Sequence, residues 1–194
     1  MAIDAARRGD RGAFNTLVEL YQRQVYNLCW RTLGNAEDAA DATQETFFSA
    51  YRSIGGFRAP DEAFRSWLLR IAVNTCYDAL RRQRRRPTQP LEAHDDEASV
   101  LDAWPDPEPG PEQQAVSAET AALVNRVLAQ LSADHRLVIT LCDLQGLRYE
   151  EAARVLGVEL GTVKSRLSRA RVALRDALTA DVELKPPGRR LEER

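Results

Sequence analysis

The sequence of 194 residues is long enough for one domain of usual size or two small ones, and abundant Ala, Leu, Arg and Glu with few Gly favour helix over strand. A formal net charge of −2, with 44% hydrophobic and 29% charged residues, is that of a soluble globular protein. No apolar run approaches the roughly 20 residues that cross a bilayer, and residues 1–10 lack the apolar core of a signal peptide, which excludes membrane insertion and predicts a cytoplasmic protein.

Residues 1–86 predict three amphipathic helices. In the first, apolar residues recur at i, i+3, i+4 and i+7 from Phe14 to Leu28, and Gly34 ends the helix. The second runs from about Glu37 and is predicted to bury Ala40, Thr43, Phe47, Ala50, Tyr51 and Ile54. The third starts at about Phe64, continues into the run RRQRRR at residues 81–86, and is predicted to bury Phe64, Leu68, Ile71, Ala72, Thr75 and Ala79.

Residues 87–118 predict an extended linker. Six of the nine prolines fall here, four of them at alternate positions from Pro105 to Pro111, which excludes a helix. The segment holds eight carboxylates and no Lys or Arg, whereas residues 1–86 carry a net charge of +4 and residues 119–180 a net charge of +2. Two mildly basic blocks joined by an acidic bridge indicate two nucleic-acid-facing domains. The tail, residues 181–194, balances four basic and four acidic residues and suggests no role.

The second block predicts four short helices and no strand, so the fold class is all-α. The predicted helices are about Glu119–Leu131, Asp134–Leu144, Tyr149–Leu156 and Gly161–Ala180, with Gly146 and Gly157 at two junctions. Cys29, Cys76 and Cys142 are far apart in sequence, and with two histidines they offer no metal-ligand spacing. We therefore expect reduced thiols packed in helices, no metal and no cofactor.

The strongest motif is a helix-turn-helix in residues 149–180. Its second helix is predicted to bury Val163, Leu167, Ala170, Leu174 and Leu178. On the opposite side, near the N-terminal end that would enter a major groove, lie Lys164, Ser165, Ser168 and Arg169. Three further arginines, Arg166, Arg171 and Arg175, are placed for phosphates.

Two helices of the first block show faces that core packing does not require. Opposite its buried side, the second helix carries an acidic face with a displayed aromatic: Glu37, Asp38, Asp41, Gln44, Glu45 and Phe48. An apolar anchor rimmed by charge suits a basic partner helix, although a solvated acidic face is the simpler alternative. The third helix carries a basic stripe with an amide and an aromatic: Ser66, Arg70, Asn74, Tyr77 and Arg81. Such a stripe suits single-stranded DNA, and a solubilising face is the alternative.

Four stretches together resemble the sigma-70 family, in its extracytoplasmic-function (ECF) subgroup. AEDAADATQETFFSAYRSIGGFR is similar to the segment that binds the clamp helices of RNA polymerase, and FRSWLLRIAVNTCYDALRRQRRR to the segment that opens and reads the −10 element. LSADHRLVITLCDLQGLRYEEAARVLGV and GTVKSRLSRARVALRDAL are similar to the domain that reads the −35 element and touches the polymerase flap. The resemblance spans nearly all of the chain except the last dozen residues.

The resemblance implies a two-domain, non-enzymatic sigma factor. Region 2 would occupy residues 1–86 and bind the polymerase clamp and single-stranded −10 DNA, and region 4 would occupy residues 119–180 and bind double-stranded −35 DNA. Asn74 and the loop that begins with Phe57 and Arg58 would capture a flipped −10 base. An anti-sigma protein would be a further partner. Glu159 departs from the Ser or Pro that the family often has at the start of the recognition helix, and its carboxylate would repel a nearby phosphate.

Two other functions compete with this interpretation. A DNA-binding regulator would use the helix-turn-helix alone, with residues 1–86 as a sensing or dimerising domain. A nuclease would need clustered carboxylates for a metal or an activated nucleophile, and the acidic residues instead fall on solvent faces or in the linker.

The linker could span at most about 105 Å when extended, and the two promoter elements lie roughly 85 Å apart. The linker is predicted either to thread the RNA channel of the polymerase or to act only as a tether.

Overall fold

A computed structural model describes residues 2–58, 60, 63–85 and 123–184, with side chains up to residue 180. All regular structure in these ranges is helical. The helices of the first block are α1 (Ala2–Arg7), α2 (Arg11–Leu33), α3 (Ala36–Ser53) and α4 (Phe64–Arg85). Those of the second block are α5 (123–129), α6 (Ala133–Ile139), α7 (Tyr149–Leu156) and α8 (Leu160–Leu184). The predicted all-α class is confirmed, and the linker prediction lies outside the described residues.

The helices of the first block begin and end at residues whose chemistry satisfies the free backbone groups. Asp10 caps α2 by accepting a hydrogen bond from the Ala13 N–H at 3.0 Å, and Asn35 caps α3 through the Asp38 N–H at 3.1 Å. Gly34, with φ of 75°, takes the left-handed conformation that ends α2. α2, α3 and α4 then pack around Leu28, Phe47, Leu68 and their buried neighbours. This three-helix core fixes which faces of α3 and α4 remain outside.

An aromatic cluster anchors the start of α4. Phe57 and Phe64 meet edge to face, with ring centroids 5.7 Å apart, and Trp67 lies 5.2 Å from Phe57. Phe57 is only 5% exposed, so its ring is a core residue. Phe57 directly follows the short helical turn Ile54–Gly56, and its ring is stabilised by burial against Phe64. The expectation that Phe57 contacts DNA stays a prediction.

Three sequence-based details of the first block were wrong. The short helix α1 was not expected, and it packs Ile3 and Ala6 into the core. In α3, Ala39, Ala42 and Thr46 are buried although they were not predicted to be, whereas the predicted Ala40 is exposed. Tyr51 is 40% exposed because its ring packs on the edge of Phe14, 5.0 Å away between centroids, at the rim of the core. Periodicity locates a buried stripe to within about a residue on either side, and these positions lie at its edges.

The second block contains the predicted helix-turn-helix. Ser132 caps α6, and the following segment, Thr140–Leu144, widens into a π turn in which the Gln145 N–H donates to the Thr140 carbonyl at 2.9 Å. The expected continuous α-helix to Leu144 is corrected accordingly. α7 has the predicted bounds, and α8 extends four residues beyond the predicted end at Ala180. Val163, Leu167 and Ala170 are buried as expected, while Leu174 and Leu178 are half-buried.

The two blocks pack against each other in this structure. α7 lies against α4, and α6 lies against α2, so that Leu28 and Leu137 belong to one continuous apolar core.

Cys29, Cys76 and Cys142 are all free thiols in buried positions, as predicted. The hydrogen bond with Cys29, together with burial, raises the pKa of the Cys76 thiol, and burial raises the pKa of Cys142 to about 11. These thiols act as packing groups.

Two glycines of the helix-turn-helix offer a matched test of its geometry. Gly157 has φ of 66°, and Gly161 does not have positive φ; an added Cβ would meet nothing within 4 Å at either position. We expect Gly157→Ala to destabilise the protein by about 1 kcal/mol, because alanine is strained in the left-handed region. Gly161→Ala should stabilise it by about 0.5 kcal/mol, since it lies inside α8. Urea unfolding followed by circular dichroism measures both, and equal shifts would contradict the assigned turn.

Candidate nucleic-acid and protein interfaces

The acidic face of α3 comprises Glu37, Asp38, Asp41, Gln44, Glu45 and Phe48. Phe48 is 52% exposed and carries the Arg52 guanidinium over its ring, 4.7 Å from the centroid. All other members except the half-buried Asp38 are also exposed. A buried stripe of alanine and threonine on the opposite side of α3 holds the helix to the core and leaves this face outward. The face presents an aromatic ring among three exposed carboxylates to a partner.

Two grooves flank Phe48, and they add residues that the sequence analysis missed. The first lies between α3 and α4, where Arg82 and Gln83 join the acidic face as lining residues. The Gln83 side-chain amide donates to the Asp38 carboxylate at 2.6 Å, which ties the end of α4 to the start of α3. The second groove lies on the α2 side and is lined by Phe14, Phe47 and Tyr51. Tyr51 and Phe48 are spaced i, i+3, so this aromatic pair could have been found from helical spacing alone.

The basic stripe of α4 comprises Ser66, Arg70, Asn74, Tyr77 and Arg81. Arg70, Asn74 and Arg81 are exposed, and Ser66 and Tyr77 are half-buried. Asn74 lines a groove between α3 and α4 together with Arg81, Arg82 and Arg85. Arg81 forms a salt bridge with Asp78 at 2.9 Å, and both side chains are mostly exposed. The groove combines an amide with several cations, which suit unpaired bases and phosphates, and it also contains the carboxylates of Glu45 and Asp78.

Two of the predicted −10 residues have local partners. The Arg58 guanidinium donates to the carbonyls of Gly55 and Phe57, which folds its side chain back over the turn before the loop. The Tyr77 hydroxyl donates to Asp134 of α6 at 2.8 Å, so this residue of the stripe faces the second block and not open solvent. Sequence periodicity placed Tyr77 opposite the core of its own block, and the packing of α6 against that side explains its partial burial.

The outward side of α8 groups Lys164, Ser165, Ser168 and Arg169, all of which are exposed. The Ser165 hydroxyl donates to the Thr162 carbonyl at 3.1 Å, and Arg169 donates through Nε to the Ser165 carbonyl at 3.2 Å. These contacts lay the Arg169 side chain along the helix toward its N-terminal end. Glu159 directly precedes α8, and its carbonyl accepts from the Val163 N–H at 3.1 Å.

The three arginines predicted to meet phosphates all have carboxylate partners. Arg171 makes two hydrogen bonds to Asp143, at 2.6 and 3.0 Å, and this carboxylate raises the pKa of Arg171 further. Arg175 pairs with the adjacent Asp176 at 3.0 Å, and Arg166 pairs with Asp134 at 3.3 Å. Exposed pairs of this kind are worth about 0.2–1 kcal/mol, so phosphates can compete for Arg175. The bidentate Arg171 pair is more strongly held.

Comparison with known families accounts for both blocks. Residues 17–86 match the model for sigma-70 region 2, and residues 121–174 match the model for sigma-70 region 4. The RNA polymerase sigma-H factor of Pseudomonas aeruginosa is 41% identical over 178 residues, covering 91% of each chain. The chain belongs to the sigma-70 family. Sigma factors are transcription initiation factors, and the match over residues 17–86 decides against a regulator that has only the helix-turn-helix.

Further relatives place this sigma factor in the ECF group, so it directs promoter-specific transcription initiation. The ECF sigma factor SigM of Mycobacterium tuberculosis is 42% identical over 166 residues, covering 86% of this chain and 77% of SigM. The ECF sigma-E factor of Escherichia coli is 39% identical over 173 residues, covering 89% of this chain and 90% of that protein. The order of regions 2 and 4 predicted from the sequence is confirmed by these matches.

Two solved structures share the fold of this sigma factor. RpoE in complex with the anti-sigma factor NepR, from Bartonella quintana, has a TM-score of 0.63 at 25% identity and covers 87% of this chain and 98% of that one. CnrH in complex with the cytosolic domain of CnrY has a TM-score of 0.65 at 28% identity, and the match covers 93% of this chain and 96% of that one.

Of the described helices, none is long and apolar enough to cross a membrane. Within the described residues, no group of three metal-ligating side chains is assembled.

Proposed function

We propose that this sigma factor joins core RNA polymerase through the acidic face of α3, reads −35 duplex DNA with α8 and captures single-stranded −10 DNA with α4. In this proposal it acts in the cytoplasm, without catalytic residues or a cofactor of its own. Region 2 occupies residues 1–86, an acidic linker residues 87–118, region 4 residues 119–180 and a short tail residues 181–194. The observation that supports this proposal is that the two matched regions present three outward faces: an acidic face with an aromatic ring on α3, a basic stripe on α4 and a basic, hydroxyl-bearing face on α8.

The clamp helices of the polymerase are the proposed partner of α3. Phe48 would enter an apolar pocket on the partner, and the surrounding carboxylates would pair with its basic residues. Burial of an aromatic ring at the centre of such an interface supplies most of its binding energy, and the charged rim fixes orientation. The Arg52 guanidinium over Phe48 holds the ring in one position, which reduces the entropy lost on binding.

The groove beside Asn74 is the proposed path of the −10 strand. The Asn74 amide can donate to and accept from an unpaired base edge, while Arg70 and Arg81 meet phosphates. Arg58 and Ser66 lie, in sequence, on either side of the loop that would hold a flipped base, and the ring of Phe57 packs against Phe64 at the start of α4. Binding of the unpaired strand to these groups would help to open the −10 region, because a surface that prefers the separated strand shifts the equilibrium away from the duplex.

The N-terminal half of α8 is the proposed reader of the −35 element. Lys164, Ser165, Ser168 and Arg169 are exposed on one side, and α7 lies across the start of α8 as in helix-turn-helix proteins. Glu159 would favour a base-edge or backbone amide contact there over a phosphate contact, because its charge repels phosphate. Region 4 would also touch the polymerase flap. An anti-sigma protein is a further proposed partner, since the structural relative RpoE described above is in complex with the anti-sigma factor NepR.

Run-off transcription tests the proposal. Core RNA polymerase is mixed with the full chain and with a library of duplexes that carry random −35 and −10 segments. We expect promoter-specific RNA only when both proteins are present, and the selected templates should share two short motifs. Transcription without the added protein, or RNA from templates with no common motif, would contradict promoter recognition by this chain.

A further inference from the structure

An ion pair fastens α8 to the segment that precedes the helix-turn-helix. Arg171 of α8 donates through Nε to one carboxylate oxygen of Asp143 at 3.0 Å and through Nη2 to the other at 2.6 Å. Asp143 lies in the π turn Thr140–Leu144, 28 residues earlier in the chain. Two bonds between a planar guanidinium and a planar carboxylate fix an orientation as well as a distance.

The surroundings of the pair keep both partners charged and in place. The Asp143 side chain is 29% exposed, and that of Arg171 is 53% exposed. The hydrogen bond to Asp143 and the charge of that carboxylate raise the pKa of Arg171, and Tyr149 at the start of α7 adds to the increase. The guanidinium is therefore held by groups from the π turn and from α7 together.

Apolar packing holds α8 firmly only in its N-terminal half. Val163, Leu167 and Ala170 are buried, but every side chain from Arg171 to Ala180 is exposed or half-buried. The ion pair lies at the point where the buried seam ends. It therefore restrains the rotation of α8 about its axis where packing against the core becomes weak.

The pair also lies in line with the side chains that would read DNA. We call the exposed residues Lys164, Ser165, Ser168 and Arg169 the reading face of α8. Arg171 follows Lys164 by seven residues and Ser168 by three, spacings that put all three on one side of a helix. Because a helix with its side chains has a radius of about 5–6 Å, a rotation of about 20° moves side-chain ends by about 2 Å. Hydrogen bonds to base edges do not survive such a shift, so the rotation of α8 decides which contacts form.

The same bonds make Arg171 a poor phosphate ligand. Nε and Nη2, the two donors that would grip an oxyanion as a fork, are both directed at Asp143. The pair has no net charge, so a phosphate beside it would gain little affinity from the release of counterions. The Arg175–Asp176 pair uses a single carboxylate oxygen and both its side chains are mostly exposed, so phosphate competes with it more easily.

We propose that Arg171 and Asp143 are positioning residues for −35 recognition, in that their ion pair sets the rotation of α8 and so aims the reading face into the major groove. Arg171 then makes no phosphate contact of its own, in contrast to the expectation from its sequence position. This inference rests on the proposal that α8 reads −35 DNA. Because neither partner can fix α8 without the other, loss of Asp143 should have the same effect as loss of Arg171.

Promoter discrimination by the full chain bound to core polymerase tests the positioning role. Two templates compete in one run-off reaction: a promoter selected by the original protein, and the same promoter with one −35 base pair changed, at each position in turn. We expect Arg171→Ala, Asp143→Ala and the double variant each to lower the transcript ratio by about three- to tenfold, with no further loss in the double variant. The control Asp176→Ala removes an equal charge from a pair that lies within α8, and should keep the ratio within about twofold.

The transcript ratio separates positioning from a loss of stability. A variant that only folds less well uses both templates less in the same proportion, so its ratio does not change. Asp143→Asn keeps the size of the side chain and should lower the ratio as well, with an unchanged circular dichroism spectrum.

A salt titration of promoter binding separates positioning from direct contact. If Arg171 met a phosphate, Arg171→Ala would lower the salt slope by about 1, and Asp143→Ala would tighten binding because it frees that arginine. We expect the slope of Arg171→Ala to equal that of the original protein.

An unchanged ratio in both Asp143 variants, or a reduced salt slope in Arg171→Ala, would overturn the positioning role alone. If the original protein does not discriminate among −35 sequences, the −35 function proposed for α8 fails, and the positioning role fails with it.

Discussion

Phe48→Ala combined with Glu45→Lys is expected to weaken binding to core RNA polymerase by at least about a hundredfold, which corresponds to about 2.7 kcal/mol. Removal of the ring takes away the apolar anchor of the acidic face, and the reversed charge places a cation opposite a basic partner. Both side chains are exposed, so the helical content and the unfolding midpoint should stay close to those of the original protein. A titration of labelled protein with core polymerase measures the affinity.

The control applies the same chemical changes to a different helix. Leu20 is 67% exposed on α2, and Glu19 beside it is exposed as well. Leu20→Ala with Glu19→Lys removes an exposed apolar side chain and reverses one charge, as the test variant does, but outside the acidic face of α3. We expect this control to bind core polymerase within about twofold of the original protein. Equal loss in both double variants would contradict a specific role of the acidic face, and unchanged affinity of the Phe48 variant would refute it.

Sequence reasoning predicted correctly those parts of the fold that depend on the local spacing of apolar residues. α2, α3, α4 and the helix-turn-helix each repeat apolar residues at helical spacing, and a glycine ends both α2 and α7. Their existence and approximate bounds therefore follow from the local sequence. The π turn at Thr140–Leu144 could not be predicted, because one extra residue in a turn leaves the apolar pattern almost unchanged. The inward turn of Phe57 likewise depends on Phe64 and Trp67, which surround it only in the folded chain.

The same distinction between local and long-range contacts applies to the candidate site. Exposure of Phe48, Asn74 and Arg169 follows from the face of the helix each occupies, and the structure places each of them outward. The partners of Tyr77, Arg166 and Arg171 depend on contacts between elements 28 or more residues apart in sequence. Helical spacing identifies which side chains leave the core of their own block, and it carries no information about a second block that covers them. That is why the contacts of Asp134 with Tyr77 and Arg166 emerged only from the folded structure.

Arg169→Ala is expected to change which −35 sequences are used, at a cost of about 1–3 kcal/mol at one base position. Arg175→Ala should weaken all promoters alike and reduce the salt slope of binding by about 1. The two arginines lie six positions apart on α8, but Arg169 is laid along the helix toward its N-terminal end by Ser165, whereas Arg175 lies farther along and pairs with Asp176. Base-edge contacts specify a sequence, and phosphate contacts set affinity without specifying one.

Selection of −35 sequences from a randomised promoter library, with each variant bound to core polymerase, measures specificity, and a salt titration of one selected promoter measures the phosphate contribution. Arg169→Lys serves as a further comparison, because it keeps the charge but loses the fork that donates to both acceptors of a guanine. If the specific contact is bidentate, Arg169→Lys should resemble Arg169→Ala in the sequences selected and resemble the original protein in salt slope. If the variants at positions 169 and 175 lose activity equally on every promoter, then both arginines only meet phosphates, and base recognition must come from Lys164, Ser165 or Ser168.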